Sequence, residues 1–370
     1  MISARNRILL LGDTLNVGGT EGQFVTTACG LDRQRWDVRV ACLRAEGALR
    51  ARLEAAGLTP WSCGPASLKS LSYPAAVLGL ARRLRALDVR VIHCFDFYSN
   101  VVGLPAARLA RVPAVVASQR DLGSLRAPLQ QRLHRAFLRL AHHLVVNSPS
   151  VAERVARYGG IAGERVTVIP NGVDLARFAP DTARTAVPGR TLVGTLANLR
   201  PEKGLLDLAQ AAALVRERCP GTHFIVWGDG PLHGDLEREI RALGLAGAVE
   251  LRGATSEPEA ALRALDVFVL PSRSEACSNV LLEAMATGLT VIATRVGGNP
   301  ALIEDEVSGL LAPAGDPAGL AKVIIRAVED RVLAAALAAR ARATAEARFG
   351  VDAMLQRLQQ FYDRALAEAR

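Results

Sequence analysis

The sequence predicts an α/β chain of two domains, each a parallel sheet covered by helices on both faces. Three observations carry this. Short β-branched runs alternate with helix-length segments along the chain, the pattern of repeated βαβ units. The 370 residues are enough for two hydrophobic cores. A stretch rich in Pro, Ala and Thr at 179–190 separates two such series.

The first series opens with NRILLLG at 6–12, an apolar strand, followed by the loop DTLNVGGTEG from Asp13 to Gly22 and a helix over Gln23 to Leu31. A glycine loop between strand and helix lets backbone N–H groups approach an anion or sugar hydroxyls closely. Gly18 and Gly19 are the candidates; tight turning explains them as well, and the spacing is neither GxGxxG nor a Walker loop. Strands follow at 37–43, 89–95 and 113–118, with helices near 46–57, 74–87 and 98–111. Ligands on parallel sheets gather at the carboxyl ends of strands, which directs attention to His93, Asp96 and Arg120. His93 sits inside an apolar strand and reads as a core histidine. Asp96, just past that strand, is the candidate for a sugar or acceptor contact. Strands at 144–148 and 166–170 close the series, and Pro170-Asn171-Gly172-Val173-Asp174 turns the chain out of it.

Composition narrows the function classes. Half the residues are hydrophobic and no low-complexity tract occurs, as in a globular protein. The longest apolar runs stop short of the ~18 residues of a membrane span. The first residues run directly into a strand with no signal peptide, so a cytoplasmic protein is expected. Six cysteines without CxxC spacing read as buried thiols, and no DxD or His/Asp cluster suggests a metal. Residues 1–180 hold 24 Lys+Arg against 12 Asp+Glu; the remainder holds 21 against 24. A basic first half beside a near-neutral second half points to an anionic partner for the first. Segments 75–87 and 125–143 are amphipathic and carry Arg82, Arg83, Arg85, Arg126, Arg132, Arg135 and Arg139. Basic amphipathic helices bind anionic lipid, which makes a peripheral place on the inner face of a membrane one expectation. An ordinary solvated face in an arginine-rich chain is the other. No nucleic-acid partner is expected.

The second series opens with a strand at 191–196 and the loop Asn198-Leu199-Arg200-Pro201-Glu202-Lys203-Gly204. Two cations in a strand-to-helix loop suit a diphosphate leaving group, whose charge grows as the bond to it breaks. Phe224 to Trp227 is a strand running into the glycine turn Gly228-Asp229-Gly230-Pro231. The most informative stretch is Pro271 to Gly288, PSRSEACSNVLLEAMATG. The apolar run at 266–270 reads as a buried strand, and Asn279 to Ala286 as a helix capped by Ser278 or Asn279. Backbone N–H groups of Ser278, Asn279, Val280 and Leu281 would form an anion site at the helix start. Glu283, the one charge in an otherwise apolar helix, lies about 6 Å further along the axis. Glu275 stands on the other side of those amides. The arrangement suits a linear ligand: a ribose at Glu283, a diphosphate on the helix end, and a further group at Glu275.

These residues resemble the EX7E region of family 4 glycosyltransferases: a strand, Ser274-Glu275, seven residues, Glu283-Ala284-Met285-Ala286, then TGLTVIAT and Gly297-Gly298. The turn at 228–231 and the PNGVD segment at 170–174 continue the resemblance, which is strong from Pro170 to Pro313 and looser before it. It implies the GT-B fold, two Rossmann-like doubly wound domains facing a cleft. It also implies retaining transfer of a sugar from a nucleotide-diphosphate donor to an acceptor hydroxyl, in bacterial polysaccharide or glycolipid synthesis. By resemblance, Glu283 binds ribose, Glu275 the donor sugar and Lys203 the phosphates. Gly228 faces the nucleotide, and Gly18, Gly19 and Glu21 lie against the acceptor and the donor phosphates. The nucleotide sugar is a substrate, so no cofactor is expected; a glycan or lipid-linked acceptor is the second partner. The chain departs from the family twice. The H-x-H strand end has His93 but Phe95 at its second position, with Asp96 next. Asn198 replaces the arginine five positions before Lys203, leaving Arg200 as the substitute cation. The implied domains are 1–178 for the acceptor and 190–345 for the nucleotide sugar, with 346–370 as a helix recrossing to the first. A GT-B epimerase or phosphorylase, and a non-catalytic membrane-docked scaffold of polysaccharide assembly, are the alternatives.

Overall fold

The computed structural model describes residues 5–123, 127–158, 161–181 and 189–369. The chain divides into two compact units: Met1–Asn171 with Asp352–Arg370, and Gly172–Val351. The division at 171 falls earlier than the expected 178. Val173 and Phe178 are buried in the second unit's core, and Val173 donates its N–H to the Phe349 carbonyl at 2.8 Å.

In the first unit the elements run β1 (Asn6–Gly12), α1 (Gly19–Gly30), β2 (Trp36–Cys42), α2 (Arg50–Ala55), β3 (Trp61–Ser62), α3 (Ser72–Ala86), β4 (Val91–Cys94), α4 (Phe97–Ala110), β5 (Ala114–Gln119), α5 (Pro128–Leu138), β6 (His143–Val146), α6 (Pro149–Tyr158) and β7 (Val166–Val168). All strands pair in parallel in the order β3-β2-β1-β4-β5-β6-β7. A parallel sheet covered on both faces has no polar side, which is why Ile8 to Leu11 and Val91 to Cys94 are fully buried. Helix α3 buries Val77, Leu80, Ala81 and Leu84, one stripe of a 3.6-residue period. Its arginines 82, 83 and 85 are exposed, and the Arg83 guanidinium lies 4.1 Å from the centre of the Trp61 ring.

The second unit continues with β8 (Thr191–Leu196), α7 (Leu205–Arg218), β9 (Thr222–Trp227), α8 (His233–Ala242), β10 (Val249–Leu251), α9 (Pro258–Arg263), β11 (Val267–Leu270), α10 (Asn279–Ala286), β12 (Thr290–Thr294), α11 (Asn299–Leu302), β13 (Leu310–Ala312), α12 (Pro317–Glu329) and α13 (Arg331–Arg348). Its parallel strands are ordered β10-β9-β8-β11-β12-β13. In each sheet the order reverses once, between β1 and β4 and between β8 and β11. Ligands of open α/β sheets bind at such switch points, beyond the strands' carboxyl ends.

Residues 331–370 form two helices, α13 and α14 (Val351–Glu368). The break falls at Phe349–Gly350, where Val173 bridges the chain: Val351 returns a hydrogen bond to the Val173 carbonyl at 3.0 Å. Helix α14 then belongs to the first unit, from Asp352 rather than from 346. Phe361 and Tyr362 anchor it, both buried, with Tyr362 packed edge-on against Trp36 and His93.

Candidate active site

In the second unit the switch point puts the loop after β8 beside the loop after β11. Pro201–Lys203 form a single 3-10 turn, and Gly204, at φ +64°, starts α7. A Cβ on Gly204 would stand 2.0 Å from the Pro271 carbonyl oxygen, so only glycine permits this approach. Two further bonds fix the loops together. The Arg273 N–H donates to the Glu202 carbonyl at 2.8 Å, and the Arg273 guanidinium grips buried Asp207 of α7 with two bonds of 2.9 and 2.7 Å. The outcome is that Lys203 Nζ meets Glu275 Oε1 at 2.5 Å, with Ser272 Oγ donating to the same oxygen at 2.8 Å. The pair is largely withdrawn from water, the Lys203 side chain being 24% and that of Glu275 9% exposed.

Glu275 is held from behind as well. Its carbonyl accepts from Gly298 N at 3.1 Å, and a Cβ on Gly297 would lie 1.7 Å from that carbonyl oxygen. The Gly297-Gly298 pair of the sequence motif is thus the brace of Glu275. The Gly228 turn plays the same part for the loop after β8: a Cβ there would stand 1.8 Å from the Ala197 carbonyl oxygen, and Leu199 N donates to the Asp229 carbonyl at 2.9 Å. Asn198 and Arg200 project from the braced loop and are exposed.

Helix α10 starts where expected, with Ser278 as its cap. The cap corrects one expectation: the Leu281 N–H is not free for an anion, because it donates to Ser278 Oγ at 3.3 Å. Val280 keeps its N–H at the helix start, Asn279 being otherwise engaged. Deeper along the same helix, no side chain among the described residues hydrogen-bonds the Glu283 carboxyl. Burial pushes that carboxyl up to about 7, against the opposing pull of Arg177 and with a small further push from Glu259. Arg177 itself is tied to Glu259 at 2.8 and 3.1 Å.

In the first unit the loops after β1 and β4 meet at the other switch point. Gly18 caps α1, and a Cβ on it would fall 2.2 Å from a carboxylate oxygen of Glu21, so the small residue makes room for that acid. Gly19 is the first residue of the helix. Asp96 has a different role from the one its position suggests. Its carboxylate accepts from Phe97 N at 2.8 Å and Ser99 Oγ accepts from Asp96 N at 2.9 Å, a capping box for α4. The acid aimed into this loop cluster is Asp13, which accepts from Ser99 N at 2.7 Å and is raised by burial to about 6. His93 is a core residue: fully buried, bonded to Tyr362 OH and Ser118 Oγ at 2.6 Å each, and lowered by burial to about 3. Arg120 donates to Asn171 Oδ1 at 2.5 Å.

Sequence reasoning missed Ser272, Arg273, Asp207 and Asp13. Asp207 carries the same signal that singled out Glu283, a lone acid in an apolar helical run, and Asp13 directly ends an apolar strand. Among the described residues no group of three or more His, Cys, Asp or Glu side chains comes together, and no helix is long and apolar enough to cross a membrane.

Two parallel α/β units, one with a carboxylate–lysine pair beside a helix N-terminus at its switch point, give the chain the architecture of the GT-B class. Residues 17–177 match the model of Glycosyltransferase Family 4, and residues 190–330 match that of Glycosyl transferases group 1. The chain is 27% identical over 326 residues to an Escherichia coli UDP-Gal:alpha-D-GlcNAc-diphosphoundecaprenol alpha-1,3-galactosyltransferase, covering 82% of this chain and 83% of that protein. It is 30% identical over 319 residues to D-inositol 3-phosphate glycosyltransferase 1 of Catenulispora acidiphila, covering 76% and 74%. The crystal structure of Anabaena Alr3699/HepE with UDP and glucose superposes with a TM-score of 0.84 at 26% identity, over 96% of this chain and 99% of that one. The chain belongs to the family 4 (group 1) glycosyltransferases.

Proposed function

We propose that this glycosyltransferase transfers a hexose from a nucleoside-diphosphate donor to an acceptor hydroxyl with retention, in bacterial polysaccharide or glycolipid synthesis. The observation that carries the reading is the Lys203–Glu275 pair at the start of α10, with the unpartnered Glu283 further along the same helix. The nucleotide's ribose hydroxyls donate to Glu283, and the diphosphate meets the Val280 N–H and Lys203. Arriving phosphate draws Lys203 from Glu275, which frees that carboxylate to accept from the hydroxyls of the donor sugar. As the glycosidic C–O bond breaks, charge collects on the leaving phosphate, where Lys203 stabilises it and Arg200, nearby on the braced loop, adds to the field. The acceptor oxygen bonds to the anomeric carbon on the same face, and its proton passes to the departing phosphate oxygen. No resident cofactor or metal enters this scheme. Gly18, Gly19 and Gly228 act as close-approach backbone in their loops, and Asn198 borders the phosphates. The Anabaena structure holds UDP and glucose, and the Escherichia coli relative is named for a UDP-galactose donor, which makes a uridine donor the first choice.

The test is thermal shift with UDP, GDP and ADP, followed by product analysis. UDP at 100 Kd should stabilise the chain by about 2.7 kcal/mol, seen as a rise of several degrees in Tm. The product's anomeric proton coupling should match that of the donor; inversion, or release of free sugar phosphate, would overturn the reading.

We further place the protein at the cytoplasmic face of a membrane as a peripheral component. Exposed Leu129 and Leu133 beside exposed Arg132 and Arg139 on α5 support this. Arg126 lies outside the described residues, and the Arg135 guanidinium lies over the Tyr158 ring. Pelleting with phosphatidylglycerol vesicles should fall several-fold in Arg132→Gln/Arg139→Gln; unchanged pelleting would remove the membrane role.

A further inference from the structure

A small cavity in the first unit takes no part in the donor chemistry. Gln119 at the end of β5, Gly123 after it, Gln131 and Arg135 of α5, and Arg154 and Tyr158 of α6 wall it. The Arg135 and Arg154 guanidinium groups each lie 4.9 Å from the centre of the Tyr158 ring, which puts the two cations within about 10 Å of each other. Both are half-buried, and among the described residues neither has a carboxylate partner. Some partly buried arginines of this chain have one, such as Arg7 with Asp37 and Arg342 with Glu346, and Arg33 and Arg216 donate to backbone carbonyls instead; Arg135 and Arg154 have neither among the described residues. The undescribed positions 124–126 and 159–160 hold no acid. The acid of the adjoining loop, Asp121, accepts from Gly123 N at 3.0 Å.

Two like charges gathered on one ring without a counter-ion are unfavourable unless an anion completes the group. Stacking on the aromatic face also fixes the planes of the guanidinium groups, leaving their N–H edges to point at a ligand. Paired guanidinium groups suit phosphate, whose oxygens accept from their planar N–H edges. We infer that this cavity binds a phosphate group carried by the acceptor, so that the acceptor is a phosphate-bearing molecule. The inference rests on the reading above only in assigning the acceptor to the first unit. A phosphate on a glycan or lipid-linked acceptor and the headgroup of an anionic lipid share this chemistry.

The experiment titrates inorganic pyrophosphate into the full chain by calorimetry, with the donor site filled by saturating UDP. If UDP does not bind, the donor reading fails by itself, and Lys203→Ala then closes that site for the same titration. Arg135→Gln/Arg154→Gln should weaken pyrophosphate at least tenfold, while Arg132→Gln on the exposed face leaves it unchanged. Arg135→Lys/Arg154→Lys, which keeps the charge but loses the planar fork, should fall between, and unaltered melting temperatures show that the variants fold. Loss of phosphatidylglycerol-vesicle binding in the Gln double variant as well would assign the site to a lipid headgroup; vesicle binding intact with pyrophosphate lost would assign it to the acceptor's own phosphate. Pyrophosphate binding that is absent in the parent chain, or equal in parent and Gln double variant, overturns the inference.

Discussion

Lys203→Ala should lower kcat by about 10²- to 10³-fold, the loss typical of removing one donor aimed at charge that develops in the transition state. UDP binding should weaken far less, because ground-state diphosphate keeps the Val280 N–H and, through its ribose, Glu283. Equal losses in kcat and affinity would reduce the lysine to uniform binding. The ion pair adds a second signature. Lys203 is within 2.5 Å of a Glu275 carboxylate that is 9% exposed, so the variant leaves a nearly buried charge with only Ser272 Oγ as partner. Removing one member of such a pair costs more than the pair itself contributes. The Lys203→Ala protein should therefore melt several degrees lower, and adding Glu275→Gln should recover much of that loss by removing the stranded charge. Activity should not return. A double variant as unstable as the sum of the two single changes would mean that the two side chains do not interact in solution.

The strands were legible in the sequence because parallel sheets bury both faces, and continuous apolar runs such as Val267 to Leu270 leave little room for another reading. Helix α10 and its one acid, Glu283, were legible for a related reason: an acid inside an apolar helix is costly unless it has a use. The Lys203–Glu275 bond was not legible, since its members lie 72 residues apart and meet only because β8 neighbours β11. Strand order is a property of the assembled sheet, and periodicity says nothing about it. The break at Phe349–Gly350 is hidden in the same way, inside an Ala- and Arg-rich run, and depends on Val173 pairing there. Asp96 is different. Position at a strand's carboxyl end favours a ligand contact, but Asp96 and Ser99 also have capping-box spacing, and that local signal decides the matter. Arg135 shows the limit of amphipathic patterning: the period places it on the basic face with Arg132 and Arg139, while side-chain packing turns it toward Tyr158.

UDP affinity should rise steeply with pH through about 7, because ribose hydroxyls donate to Glu283 and the carboxyl must be ionised to accept from both. Below a carboxyl held at about 7, affinity falls by up to tenfold per pH unit until it levels at that of the protonated form, a total loss of roughly 5- to 30-fold by pH 5. Stability of the unliganded protein runs the other way. Unfolded, Glu283 loses its proton near its ordinary value of 4.5; folded, it keeps it to about 7. Between these values the native state binds the extra proton, so stability falls as pH climbs through this window, by up to about 3 kcal/mol. Above about 7 the loss is complete and the curve levels. Glu283→Gln removes the ionisable group while keeping its shape. It should flatten both profiles between pH 5 and 8, raise Tm at pH 8, and weaken UDP there by 1 to 2 kcal/mol, roughly 5- to 30-fold. Calorimetric titrations with UDP and thermal melts of both proteins across pH 5 to 8.5 measure these effects. A variant that binds UDP as tightly as the parent chain at pH 8 would remove Glu283 from the ribose. A parent chain whose Tm is constant from pH 5 to 7.5 would mean that this carboxyl is ionised and satisfied in the folded protein. The opposition of the two profiles is the physical content of the site, since the ligand supplies the partner that the folded chain withholds from Glu283.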